Sequence, residues 1–218
     1  MYKISWALNK NIMNKEELSK YWDAKWSDYT EQEPNAFAKK LVEMYAKSGK
    51  KDLLDLGCGD GRDTRYFIKN GFNVSCIDIA SKSIEKIKQE FGNKVNASCQ
   101  DIQNLQFSNE SFDIIYSHLT LHYFNDEDTT KAFDKIYNLL RKGGIFFVKC
   151  KSDKDRLCND SQGEKIAENI YFKGHVRNFF SLDYLKSKLN KFDIIEIGED
   201  AHKYNGWDSS FVYAIVRK

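Results

Sequence analysis

Apolar residues first recur along this chain at helical spacing. From about residue 50 onward they alternate between short continuous runs and helical stripes. Leu18, Trp22 and Trp26 fall on one helical face behind Asn14-x-x-Glu17, which has the spacing of a capping box. Phe37, Leu41, Met44 and Tyr45 mark a second helix after Pro34-Asn35, ending near Gly49. A first strand then begins at Leu53, a helix is predicted over Arg62–Lys69, and a strand over Phe72–Ile77 closes at Asp78. Ser81 stands where it can cap a helix carrying Ile84, Ile87 and Phe91, and Val95–Cys99 forms a third strand. Phe112–Ser117 is the fourth strand, a helix covers about Glu127–Arg141, and Gly143-Gly144 turns into a fifth strand over Ile145–Cys150. After a charged insert, Ser181 opens a helix with Leu182, Leu185 and Leu189, and strands at Phe192–Ile197 and Phe211–Val216 follow with no helix between them. Alternating strands and helices closed by two adjacent strands call for an α/β fold, a doubly wound and mostly parallel sheet whose last strand is antiparallel.

Composition narrows the class without naming a function. The chain has 218 residues, 41% hydrophobic and 30% charged, which suits one sizeable core with room for a small appendage. We therefore expect a helical cap over residues 1–48 and a main domain over 49–218. A formal charge of +2 argues for neither a nucleic-acid nor a membrane partner. No apolar run approaches the ~18 residues of a membrane span. Five cysteines without a C-x-x-C pair fit a reducing, cytoplasmic setting. No cysteine pair or carboxylate cluster accompanies His118 and His122, so no metal is expected.

The chemistry concentrates at Asp55-Leu56-Gly57-Cys58-Gly59-Asp60-Gly61-Arg62, where a strand runs into glycines spaced two apart. Such a turn suits a ligand lying against bare backbone. A dinucleotide fingerprint needs glycine where Arg62 stands, and the Gly-Lys-Ser/Thr of a phosphate-binding Walker loop is absent. On residue types alone the turn, Asp78 and Asp101 also fit ordinary capping and turn roles.

Acidic-Leu-Gly-x-Gly-x-Gly resembles motif I of the class I S-adenosylmethionine-dependent methyltransferases. The resemblance extends over roughly residues 50–218. It implies a Rossmann-like seven-stranded sheet and S-adenosylmethionine as cofactor. It also implies cofactor contacts from Asp55, Gly57, Cys58, Gly59, Gly61 and Arg62, ribose binding by Asp78 with Ile79 beside it, and adenine contacts from Asp101 and Ile102. Ser117-His118-Leu119-Thr120-Leu121-His122-Tyr123-Phe124 is similar to the stretch of small-molecule members where the fourth strand faces cofactor and acceptor, which brings in Ser117 and His122. Trp22-Asp23-x-x-Trp26 resembles the tryptophan pair of thiopurine methyltransferases, and the glycine turn resembles that of tellurite-resistance methyltransferases. Both tryptophans are then lid residues over the cofactor, with a packed helix face as the plainer alternative.

The expected reaction is methyl transfer to N, O or S of a small molecule by a monomer or homodimer. A non-catalytic S-adenosylmethionine-binding regulator is the alternative. Between the fifth strand and the last helix about thirty residues are inserted, longer than a routine connection. Lys149, Lys151, Lys173, His175 and Arg177 lie in or beside this insert, and the spacing of the last two sends both to one side of an extended segment. A cationic cluster facing a site that holds a sulfonium favours an anionic acceptor, with His122, His175 and Arg177 as the candidate catalytic residues.

Overall fold

The computed structural model describes residues 13, 15–26, 33–159, 163–204 and 206–218. Helices α1 (Lys15–Trp26) and α2 (Ala36–Tyr45) precede β1 (Asp52–Leu56), α3 (Arg62–Lys69), β2 (Asn73–Asp78), α4 (Ser81–Phe91) and β3 (Val95–Cys99). Then come β4 (Phe112–His118), α5 (Asp126–Leu139), β5 (Leu140–Lys151) and the short α6 (Arg156–Asn159). Three short strands, β6 (Glu164–Ala167), β7 (Ile170–Lys173) and β8 (His175–Asn178), lead to α7 (Leu182–Lys188) and the hairpin β9 (Asp193–Tyr204) and β10 (Trp207–Arg217).

The main sheet has the order β3-β2-β1-β4-β5-β10-β9. Its first five strands are mutually parallel, and β10 runs antiparallel to both neighbours. The expected doubly wound sheet with an antiparallel last strand is therefore what forms. Its central strands are buried on both faces, which is why they read as continuous apolar runs. Leu54, Leu56, Ile115, Phe146 and Val148 pack with α5 and α7 on one face, and Leu53, Ile114, Tyr116 and Phe147 pack with α2, α3 and α4 on the other. Complete burial of one such side chain stabilises by about 1.5–3 kcal/mol. Strand order reverses between β1 and β4, so a crevice opens at their carboxyl ends, where α/β sheets take ligands.

Several expectations are corrected. Ser81 does not cap α4: Ala80 holds the cap position without a side-chain bond, and Asp23 of α1 fills the role instead. Helix α5 stops at Leu139, because Leu140 already pairs with Phe112 in the sheet, and β5 runs through Gly143-Gly144. The insert is no loop but a three-stranded antiparallel meander, turning at Asn169 and Gly174, both at positive φ (54° and 75°). The closing hairpin is much longer than the predicted pair, because β9 and β10 remain paired from Asp193–Arg217 out to Tyr204–Trp207. The capping residue Asn14 lies outside the described residues, as do Met1–Leu8 of the first 48.

Candidate active site

The glycine turn is pinned before any ligand arrives. The backbone N–H groups of Gly57 and Cys58 both donate to the carbonyl of Ile77, at 2.9 and 3.0 Å, tying the turn to the end of β2. Gly57, Gly59 and Gly61 have φ of 73°, 55° and 81°. A Cβ at Gly57 would come within 2.3 Å of the Thr120 side chain, so the turn is closed to any larger residue. At the end of β2, Asp78 accepts from Gly59 N–H at 2.8 Å and Ala80 N–H at 2.9 Å. One bond to each carboxylate oxygen fixes the group and leaves further acceptor capacity on both. Asp55 accepts from Thr64 Oγ1 at 2.6 Å.

These residues form one end of a cavity of about 330 Å³, which runs from the carboxyl ends of β1, β2 and β3 to those of β4 and β5. That end is acidic, with Asp55, Asp60, Asp63, Asp78 and Asp101 on its wall. Burial, reinforced by Asp63 and Asp78, pushes the Asp55 carboxyl up to about 8 despite the Thr64 bond. Burial also raises Asp78, against its backbone donors, and Asp63, against Arg62. Asp63 is held by Tyr116 Oη at 3.1 Å, by Arg62 Nε at 3.3 Å and by the backbone and side-chain amides of Asn35, the N-cap of α2.

The opposite end carries imidazoles and cations. His118, His122, His175, Lys151, Tyr123 and Tyr204 lie on the wall there. Burial, together with Lys151 and Arg177, holds His122 well below the usual histidine range. Burial, Arg177 and Lys25 lower His175 to about 4, so both rings are neutral near pH 7. Arg177 Nε donates to His175 Nε2 at 3.2 Å. A guanidinium can only donate, so neutral His175 carries its proton on Nδ1, which is buried without a partner; His122 Nδ1 is buried and unpartnered too. Helix α1 forms the roof, where Trp22 meets Tyr123 edge to face at 4.8 Å and Tyr21 lies 5.1 Å from His175.

The cavity thus brings together Asp55, Gly57, Cys58, Gly59, Arg62, Asp78, Ile79, Asp101, Ile102, Trp22, His122 and His175 of the expected set. Three others stand apart from its wall. Gly61 faces Ile87 of α4, 2.9 Å from where its Cβ would be, so its place is in packing helix against turn. Ser117 is fully buried within the sheet. Arg177 sits behind His175 rather than on the wall. The side chain of Trp26 lies outside the described residues. Of the cations expected around the acceptor, Lys149 pairs with Asp200 off the wall and Lys173 is exposed on β7, leaving Lys151 on the wall with the neutral His175. Asp63, Tyr116, Thr120 and Tyr204 were missed. The first two carry no motif signal, and Tyr204 arrives only because β9 is long. Among the described residues, no cluster of three or more His, Cys, Asp or Glu could hold a metal.

Residues 53–144 match the family model described as a methyltransferase domain. Among similar proteins, phosphoethanolamine N-methyltransferase 1 of Triticum aestivum is 30% identical over 194 residues, covering 78% of this chain and 38% of that protein. A malonyl-[acyl-carrier protein] O-methyltransferase of Enterobacter lignolyticus is 28% identical over 142 residues, covering 63% of this chain and 52% of that one. The chain thus spans about half or less of the length of these relatives. Among solved structures, 1,6-didemethyltoxoflavin-N1-methyltransferase of Burkholderia thailandensis, with bound 1,6-didemethyltoxoflavin and S-adenosylhomocysteine, superposes with a TM-score of 0.69 at 20% identity. That match covers 93% of this chain and 85% of the other, and it shows a shared fold.

Proposed function

Since the chain belongs to the class I S-adenosylmethionine-dependent methyltransferases, we propose that it methylates an N, O or S atom of a small, negatively charged molecule. The observation that carries this reading is the polarity of a single continuous cavity, acidic under the glycine turn and cationic beyond β4. The residues present fit the cofactor. The turn has no room for a Cβ at Gly57, and the Asp78 carboxylate is fixed with acceptor capacity left for two ribose hydroxyls. Asp101 and Ile102, both on the cavity wall, would offer an adenine an acceptor and an apolar face.

S-adenosylmethionine supplies an electrophilic methyl group on a sulfonium cation. Carboxylates at Asp63 and Asp78 favour positive charge at their end of the cavity, while Asp55 keeps its proton near pH 7, and Trp22 packs edge to face on Tyr123 at the cavity roof. The remaining work is to place the acceptor in line, and His122, neutral and on the cavity wall, is the candidate to take a proton where the acceptor carries one. Helix α1 is a lid in this reading, with Leu18, Trp22 and Lys25 on the cavity wall.

The test combines calorimetry with S-adenosylhomocysteine and transfer of a labelled methyl group to a panel of anionic and neutral small molecules. Saturable binding together with label in anionic acceptors is the expected result. Absence of S-adenosylhomocysteine binding by the folded chain rules the reading out. Labelling of neutral or cationic acceptors alone overturns only the charge of the acceptor.

A further inference from the structure

Two largely buried lysines of β5, Lys149 and Lys151, each pair with a carboxylate and lie over the Phe211 ring, but only Lys151 reaches the cavity wall. Lys151, the last residue of β5, lies on the cavity wall with its side chain 12% exposed. Its Nζ donates to Asp155 Oδ2 at 2.8 Å and sits 4.6 Å from the centre of the Phe211 ring and 5.8 Å from that of Tyr204. Asp155 is completely buried and does not move with the lysine: Oδ2 also accepts from Ser210 N–H at 2.9 Å, and Oδ1 accepts from Leu157 N–H at 3.0 Å. The carboxylate is therefore shared among three donors, while the ammonium gives only one of its three hydrogens to Asp155. A largely buried ammonium with two hydrogens left over, held in place by one fixed carboxylate and two ring faces, is suited to meeting a second anion.

Resting on the methyl-transfer reading above, we propose that Lys151, anchored by Asp155, is the residue that recognises the acceptor, and that it does so through an oxyanion of the acceptor, a carboxylate or a phosphate. Arg177 acts one step behind it. Its guanidinium donates to His175 and fixes which nitrogen of that ring holds the proton, so it is a positioning residue. Lys149 is excluded because it does not line the cavity. In the sheet order β5 stands two strands from β1, so this ammonium is set apart from the carboxylates under the glycine turn.

The experiment uses the full chain, labelled with nitrogen-15 in lysine, with S-adenosylhomocysteine either saturating or omitted. Inorganic phosphate or acetate is titrated in while the Lys151 side-chain signal is followed by NMR. Both anions are expected to move that signal, and to bind the wild type at least about tenfold more tightly than Lys151→Met, the range for a lost charged hydrogen bond. Lys151→Arg should keep most of the affinity. Lys154→Met, which removes an exposed lysine paired with Glu199, should bind as the wild type does. Tighter phosphate than acetate points to a phosphorylated acceptor, and the reverse to a carboxylate. Lys151→Gln and the S-adenosylhomocysteine affinity of each variant report whether the fold survives. An unmoved Lys151 signal, or a folded Lys151→Met or Lys151→Gln variant that binds both anions like the wild type, overturns the proposal. Because the anions are also titrated without S-adenosylhomocysteine, failure of the cofactor to bind would count against the methyl-transfer reading and leave the Lys151 result legible.

Discussion

The two ends of the cavity are made in opposite ways. Under β1–β3 the wall comes from short sequence neighbourhoods, in which a carboxylate at or near each strand end is held by groups from the same stretch of chain: Asp78 by the N–H groups of Gly59 and Ala80, Asp101 by that of Gln103 and Asp55 by the Thr64 hydroxyl. Beyond β4 and β5 the wall is assembled from distant segments: His122 after β4, Lys151 from β5, His175 from the meander, Tyr204 from the hairpin and Trp22 from α1. One end is fixed by local geometry and suits an invariant ligand. The other is assembled by tertiary packing and can change its ligand when an insert changes.

The comparison breaks first at the glycine turn. Gly57→Ala places a Cβ 2.3 Å from Thr120 at a φ of 73°, and strain and overpacking together should cost roughly 3–4 kcal/mol, with loss of cofactor binding. Denaturant midpoints measure it. Thr120→Ala in the same chain should return part of the loss, since the two nearest atoms, Cγ2 and Oγ1, are then gone. A next, smaller effect is expected at Asp78. Asp78→Ala should weaken S-adenosylhomocysteine binding by about 1.5–3 kcal/mol, or roughly ten- to hundredfold, in calorimetry. Unchanged affinity in a folded variant removes the ribose role assigned to this carboxylate.

Acidity sharpens the contrast, because the two ends titrate with opposite signs. Asp55 is raised to about 8 from 3.8, so the folded chain holds a proton that the unfolded chain has released. Its contribution is complete below pH 3.8 and is lost as pH rises to about 8. His175 is lowered to about 4 from 6.5, so here the unfolded chain binds the extra proton and stability rises with pH between those values. The two slopes, each on the order of 1 kcal/mol per pH unit, oppose one another from pH 4 to 6.5, and only the Asp55 slope remains above that. Relative to wild type, Asp55→Asn should therefore show a stability that no longer falls between pH 6.5 and 8, and His175→Asn should lose a rise between pH 4 and 6.5. Parallel stability curves for wild type and Asp55→Asn would show that Asp55 ionises at an ordinary pH in the fold.

What was legible in the sequence follows the same division. Central strands such as Leu53–Leu56 and Ile145–Cys150 are buried on both faces and show as unbroken apolar runs, and the glycine turn shows because positive φ restricts residue type locally. The meander was hidden, since four-residue strands are too short to display a period of two and a helix was equally unsupported. Its turn at Gly174 was the available signal. The Lys151–Asp155 pair was half visible, because the lysine stood out and its buried partner read as one more acid in a charged insert. Ser81 misled for a related reason: a local cap was assigned where a carboxylate from another helix takes the N–H.

That carboxylate supplies the smallest and most specific test. Asp23, between the cavity-facing Trp22 and Lys25 of α1, is 8% exposed and accepts from Lys82 N–H at 2.9 Å and from Ser81 Oγ at 3.2 Å. It caps α4 from a different element, and the capped end directly follows the Asp78-Ile79-Ala80 turn. If α1 is a lid, lifting it exposes an uncapped α4 at about 1 kcal/mol, so closure and the integrity of the ribose-binding turn support each other. Asp23→Ala should thus lower stability by about 1 kcal/mol, increase proteolysis within residues 15–26, and weaken S-adenosylhomocysteine only a fewfold. Asp23→Asn, which keeps an acceptor oxygen but not the charge, should fall between Asp23→Ala and wild type. Saturating S-adenosylhomocysteine should protect residues 15–26 in the wild type and protect them less in Asp23→Ala. Equal cleavage with and without ligand in both proteins would mean that α1 is permanently packed and that Asp23 serves α4 alone.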